Sequence, residues 1–75
     1  MKRVLVTGGA GTIGQALVRR LVSDPDWEVR VADQRTPPQW MRETCELEVG
    51  DLREQNVADR AAAGATHVVA ATTRK

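Results

Sequence analysis

In the stretch Thr7-Gly8-Gly9-Ala10-Gly11-Thr12-Ile13-Gly14, glycines recur at Gly8, Gly11 and Gly14, and Gly9 also satisfies the G-x-G-x-x-G spacing. Glycines so placed let a backbone turn tightly and bring an anion against the unbonded amides that open a helix, which is the chemistry of a diphosphate cradle. Gly8 and Gly11 are expected to permit the turn and the ligand's approach, and Gly14 to let the helix pack closely on the strand before it. The N–H groups of Thr12 and Ile13 are the expected phosphate donors. No Asp or Glu stands in that first helical turn, where an acid would be ordinary dipole chemistry, so the position is left to an anionic ligand. No Lys-Ser or Lys-Thr follows the glycines, which excludes a Walker-type nucleotide site.

Asp33 follows Gly14 by nineteen residues and ends an apolar run, the position from which an acid hydrogen-bonds an adenosine ribose 2′-hydroxyl. The ligand is therefore expected to be a nicotinamide dinucleotide, NAD in preference to NADP. A 2′-phosphate would meet the charge of Asp33 at close range, although Arg35 two residues on offsets part of that repulsion. Taken alone Asp33 would read as the cap of a turn before Gln34; the preceding glycine turn reverses that. Asp51 carries two compatible readings, as N-cap of a second long helix and as a contact to adenine from the rim of the same crevice.

Four strands and the helices between them must position these groups. Residues 2–6 form the first apolar run, and the helix behind the glycine turn carries a stripe of Ile13, Leu17 and Leu21 beside Val18 and Val22, at helical spacing. Ser23-Asp24-Pro25 stops it. A second strand over 28–32 turns Val29 and Val31 to one side; Pro37-Pro38 then allows at most a short helical turn through Trp40 and Met41. The third strand, 45–49, alternates Cys45, Leu47 and Val49 with Glu46 and Glu48, as a strand with one wet face does. A helix over 52–63 follows, with Asp51 as cap, Glu54 in capping-box position, Leu52, Val57 and Ala61 facing inward, and Gly64 as stop. The fourth strand is 67–71.

This β-α-β-(α)-β-α-β order predicts an α/β class, a partial Rossmann fold whose parallel sheet runs 3-2-1-4 with helices on both faces. The third strand falls on an outer edge, where its glutamates discourage stray pairing. The fourth strand reads Val68-Val69-Ala70-Ala71 without charge, as interior strands do. The chain is thus expected to be the first part of a larger dinucleotide-binding domain, or to meet a partner at that edge, a second copy included.

Composition narrows the remaining classes. Eleven basic against ten acidic residues leave a net charge of +1, and the densest basic runs, Arg19-Arg20 and Arg74-Lys75, are only pairs, so a nucleic-acid binder is not expected. Arg19 and Arg20 instead fall in the last turn of a helix, where cations suit the carbonyl end. A single cysteine, Cys45, excludes an internal disulfide and suits a reducing cytoplasm; on an alternating strand it is expected to be a small buried hydrophobe. The apolar stretch from Val4 to Val6 is too short for an export signal or a membrane span.

The run Val4-Leu5-Val6-Thr7-Gly8-Gly9-Ala10-Gly11-Thr12-Ile13-Gly14 resembles the T-G-x-x-G-x-x-G opening of the extended short-chain dehydrogenases/reductases, the NAD-dependent epimerase/dehydratase family. Val31-Ala32-Asp33 is similar to that family's ribose-binding strand end, and Gly50-Asp51-Leu52-Arg53 to its adenine-contacting Gly-Asp-Leu/Ile-Arg segment. Val69-Ala70-Ala71 is similar to its Leu-Ala-Ala stretch beside the cofactor. The resemblance implies cofactor contacts at Asp51, Leu52, Ala70 and Ala71. His67 stands earlier than the family's histidine before Leu-Ala-Ala and is expected to be a strand-end side chain. Such proteins exchange hydride between bound NAD and nucleotide sugars or related alcohols, using a Tyr-x-x-x-Lys pair and a nearby Ser or Thr. This chain has no Tyr, so only the family's cofactor binding, and not its catalysis, is assignable to these 75 residues. The competing expectations are a non-catalytic module that pairs through its fourth strand, and a decayed fragment without a ligand.

Overall fold

Successive side chains on a strand point to opposite faces, so burial of Val4 and Val6 together with Leu5 requires cover on both sides of the first strand. The computed structural model, which describes residues 2–71, supplies that cover. The elements are β1 (Lys2–Thr7), α1 (Thr12–Val22), β2 (Trp27–Asp33), α2 (Gln39–Thr44), β3 (Glu46–Val49), α3 (Gln55–Ala62) and β4 (His67–Ala70). All strand pairs are parallel, and the sheet order is β3-β2-β1-β4, as the connections predict.

The core lies in two layers. On one face Val4, Val6, Val29 and Val31 meet Val18 of α1 and Met41 of α2, with Leu17, Leu21, Trp40 and Leu47 packed around them. On the other, Leu5 and Ala32 meet Ala61 of α3, with Leu52 alongside. Arg19 stacks its guanidinium over the Trp40 ring at 4.2 Å, which fastens α1 to α2. Arg19 and Arg20 do stand in the last turn of α1, and Ser23 ends it by donating its hydroxyl to Arg20 O at 2.7 Å.

Several elements depart from the sequence expectation. Ile13 is 59% exposed rather than on the inward stripe, because Gly14 takes the inward position in that turn. The proline pair leads into a six-residue helix, longer than a single turn, with Pro38 as its N-cap. Cys45 is the C-cap of α2, ahead of β3, and half-buried; burial pushes its thiol up, against a smaller effect of the Thr44 hydroxyl. Glu46 and Glu48 are not simply wet, for Arg30 pairs with one at 2.9 Å and Arg60 with the other.

Asp51 does not cap α3, which begins only at Gln55 with Glu54 at the N-cap and no side-chain cap bond. Residues 51–54 form a turn instead, closed by the Glu54 N–H donating to Asp51 O at 2.9 Å. Gly64, at φ +75°, ends α3 as expected. His67 lies at the start of β4 with its ring edge-on to Trp27 at 5.0 Å, a packing position remote from the glycine turn. The Arg74-Lys75 pair lies outside the described residues.

Candidate cofactor site

Where β1 ends, Gly8 takes φ +73°, a left-handed conformation that favours glycine, and its N–H donates to Ala32 O at 2.8 Å, carrying the pairing of the two strands one step further. The chain then folds back on itself. A Cβ on Gly14 would lie 2.4 Å from Gly8 O and 2.6 Å from Gly9 Cα, so α1 starts directly against the backbone of the turn, not against the strand. Gly9 is held as tightly from the other side, since a Cβ there would meet Val31 Cγ1 at 2.5 Å. In the sequence its role is visible only as a second way to satisfy the glycine spacing.

Gly11 is the N-cap of α1, with no side-chain cap and no acid in the first turn. The first intrahelical bond runs from the Gln15 N–H to Gly11 O at 2.8 Å. The N–H groups of Thr12, Ile13 and Gly14 precede it and therefore have no acceptor within the helix. Thr12 and Ile13 are exposed. Such an array is a donor set for an anion.

Asp33 ends β2 and is only 8% exposed. Its Oδ2 accepts from the Ala10 N–H at 2.9 Å and from Arg35 Nη2 at 3.3 Å; its Oδ1 accepts from the Arg35 N–H at 3.0 Å and Nε at 3.2 Å. Burial alone would raise its pKa. The bonds from the Arg35 backbone and guanidinium and from the Ala10 N–H outweigh it, and the carboxyl is held below its usual range.

Asp51, two residues past β3, repeats the pairing with an arginine two residues on. It accepts from the Arg53 N–H at 2.9 Å, and the Arg53 guanidinium closes on both its oxygens, with Nη2 at 2.8 Å. The Arg53 side-chain bonds, with its N–H and charge, hold this carboxyl low as well.

Between the two acids opens a cavity of about 550 Å³ lined by Gly8, Ala32, Asp33, Gln34, Arg35, Gly50, Asp51, Leu52 and Arg53. Five of the residues expected at the site, Gly8, Asp33, Arg35, Asp51 and Leu52, thus share one wall. Gly11 borders it through Arg35, whose Nη2 lies 2.9 Å from the place of a Gly11 Cβ. Thr12, Ile13, Gly14, Ala70 and Ala71 are not part of that lining. Ala71 does lie at the same end of the sheet, its N–H donating to Thr7 O at 2.8 Å, while Ala70 pairs with Thr7 along β4. Arg53 is visible in the sequence only as part of a motif; the signal that it closes on Asp51 is its two-residue spacing, the same as from Asp33 to Arg35.

A doubly wound parallel sheet with a glycine turn after its first strand and an acid at the end of its second defines a dinucleotide-binding domain. The chain belongs to the 3-beta hydroxysteroid dehydrogenase/isomerase family, whose model matches residues 5–74. This agrees with the resemblance to the epimerase/dehydratase branch of the short-chain dehydrogenases/reductases. No curated protein matches the sequence. Among solved structures, a short-chain dehydrogenase/reductase superfamily protein from Agrobacterium tumefaciens with bound NAD is similar at 29% identity and a TM-score of 0.80, over 97% of this chain and 21% of that one. Uronate dehydrogenase from the same organism is similar at 29% identity and a TM-score of 0.74, over 100% of this chain and 27% of its own. UDP-glucose 4-epimerase from Thermus thermophilus, in complex with NAD, is similar at 34% identity and a TM-score of 0.78, over 96% and 24%. The chain therefore spans about a fifth to a quarter of the length of these relatives. Among the described residues no helix is long and apolar enough to cross a membrane.

Proposed function

We propose that this chain is the cofactor-binding portion of an NAD-dependent epimerase, dehydratase or reductase. The turn over residues 8–14 holds the dinucleotide's diphosphate, Asp33 the adenosine ribose, and Asp51 with Leu52 the adenine. One observation carries the reading: three helix-opening amides without a helical acceptor stand beside an acid that is hydrogen-bonded to the same turn. The residues fit the group. The donors suit a diphosphate, and the cavity has the size of an ordinary small-molecule site. Bound NAD supplies hydride exchange; the chain's own part is to orient it, with Gly14 setting helix against turn and Asp33 fixing the distance to the sugar. Two of the relatives described above carry NAD, which supports NAD over NADP. A reducing cytoplasm suits the lone thiol of Cys45.

Amide spectra recorded while the 75-residue chain is titrated with NAD test this directly. Shifts confined to residues 8–14, 33–35 and 50–53, abolished by Gly11→Val, support the reading; a folded chain whose spectrum does not move removes it.

A second reading rests on β4. Its inner side pairs with β1, its outer edge has no partner among the described residues, and Val68 and Val69 are 62% and 38% exposed. Such an edge accepts a strand from another chain or a second copy. Sedimentation that reports a dimer in the parent chain and a monomer in Val69→Lys favours it. A monomer in both rejects pairing with a second copy.

A further inference from the structure

We infer that Gln15 is a positioning residue for the diphosphate: its side-chain amide holds the peptide unit between Ala10 and Gly11, drawing that carbonyl toward the first turn of α1 so that it is not free to face an anion at the helix opening. The inference rests on the cofactor reading above and adds to it a side chain that no glycine spacing marks.

A peptide unit in a turn carries a donor and an acceptor on opposite sides, and turning it over exchanges them. At a site built of bare amides that exchange presents a carbonyl oxygen, which repels a phosphate. Two consecutive peptide units at the centre of the glycine turn are each anchored by a side chain. The unit between Gly9 and Ala10 is held at its N–H, which donates to Asp33 Oδ2 at 2.9 Å. The unit between Ala10 and Gly11 is held at its C=O, which accepts from Gln15 Nε2 at 2.8 Å. A carbonyl only accepts, so the NH2 end of the glutamine is the one that faces it.

The second unit is the one with freedom to turn over. Gly11 has no Cβ, so the change of φ that such a flip requires has little steric cost. The Gly11 N–H donates to Gly8 O at 3.2 Å, the long end of the range for such bonds, whereas the Gln15 bond on the same unit is 2.8 Å. The shorter bond carries more of the orientation. Gln15 also donates its backbone N–H to Gly11 O at 2.8 Å, so one residue of α1 fastens two successive carbonyls of the turn. Ala10 and Gln15 are half-buried while Thr12 and Ile13, between them in sequence, are exposed. The clamp is thus sheltered where the ligand's donors are open.

Asp33 gives the internal comparison. Its carboxylate holds the neighbouring peptide unit and also lines the cavity where the sugar is expected, so its loss touches both parts of the ligand. Gln15 does not line that cavity, and its loss should touch the diphosphate alone.

The test is titration of the 75-residue chain with ADP-ribose, which carries the bridging diphosphate, and with adenosine, which lacks it, followed by amide spectra. Gln15→Met keeps the length of the side chain and removes its donor. It should weaken ADP-ribose by about three- to tenfold, the range of one neutral hydrogen bond, and leave adenosine within about twofold of the parent. The Gly11 amide nitrogen shares its peptide unit with the Ala10 carbonyl and should shift in Gln15→Met before any ligand is added. In the parent bound to ADP-ribose, a Gln15 Nε2 proton should exchange with solvent more slowly than a free side-chain amide, a measurement that serves where Gln15→Met does not fold. Equal weakening of both ligands, an unchanged affinity for ADP-ribose, or a Gln15 amide that exchanges as a free one does overturns the positioning role while leaving the cofactor reading standing. A folded parent chain that binds neither ligand overturns both.

Discussion

Asp33 and Ala10, 23 residues apart, are joined by a 2.9 Å hydrogen bond from the Ala10 N–H to the Asp33 carboxylate. The residue expected to measure the sugar therefore also helps to set the shape of the glycine turn. Asp33→Ala would leave the Ala10 N–H without this partner and release Arg35, and a hydrogen bond to a charged group contributes about 1.5–3 kcal/mol. The expected outcome is a loss of about 2 kcal/mol in unfolding free energy, read from urea denaturation. A variant as stable as the parent would show that the turn holds its shape without the acid.

The same bond gives stability a pH dependence. Burial alone would raise the Asp33 pKa, but hydrogen bonds and the Arg35 charge hold the carboxyl below its ordinary value of 3.8, and Arg53 does the same for Asp51. In each case the unfolded chain binds protons more readily than the folded one as pH falls through the acid range. The stabilisation is complete above the unfolded pKa, near 4, and is lost as pH drops below it through the folded values. Urea midpoints should accordingly be flat from pH 7 to about 5 and decline from about pH 4 downward. Asp33→Asn should flatten part of that decline; an identical acid limb in the variant would remove Asp33 as a source.

The glycines divide into two kinds that only the geometry separates. A Cβ on Gly14 would sit 2.4 Å from Gly8 O and 2.9 Å from Gly9 C, and backbone on both sides cannot yield. A Cβ on Gly11 would meet Arg35 Nη2 at 2.9 Å, the far end of a flexible side chain, and otherwise lie at ordinary contact distance. Gly14→Ala should therefore abolish cooperative unfolding, whereas Gly11→Ala should leave the urea midpoint nearly unchanged and weaken NAD about tenfold or more by filling the ligand's approach. Tight NAD binding by folded Gly11→Ala would place the diphosphate elsewhere.

Much of this arrangement is written locally in the chain, and what is not depends on contacts between distant residues. The sheet order and the two helical faces follow from β-α-β alternation and from the apolar spacing of Val18, Val57 and Ala61, all of which are buried. Asp51 misled because an acid before a helical pattern is an ordinary cap; the competing interaction, with Arg53 two residues on, draws the carboxylate into its own turn and delays the helix to Gln55. Ile13 fits the apolar stripe by spacing alone, yet the close approach of Gly14 to the turn rotates that stripe away from it. The contact between Asp33 and Ala10 has no signature in spacing, because it requires the glycine turn and the end of β2 to be folded side by side.

Arg30 is the plainest instance of a role invisible along the chain. It sits mid-strand in β2, where a charge would suggest a solvated face, but its Nη1 donates to Ala61 O at 2.8 Å, Ala63 O at 2.7 Å and Arg60 O at 3.2 Å, 30 to 33 residues away. Its Nη2 pairs with Glu46 at 2.9 Å on the neighbouring strand. One side chain thus satisfies the carbonyl end of α3, favourable for a cation against the helix dipole, and ties that helix to β2 and β3. Arg30→Met keeps the aliphatic stem over the sheet and removes every one of these bonds. It should cost about 2–3 kcal/mol, with hydrogen exchange accelerated first at the amides of α3 and only later in α1. Because α3 packs on Leu5 and Ala32, next to the wall formed by Ala32 and Leu52, the same variant should also weaken dinucleotide binding. Uniform acceleration across both helices would show instead that Arg30 supports the sheet as a whole and has no particular hold on α3.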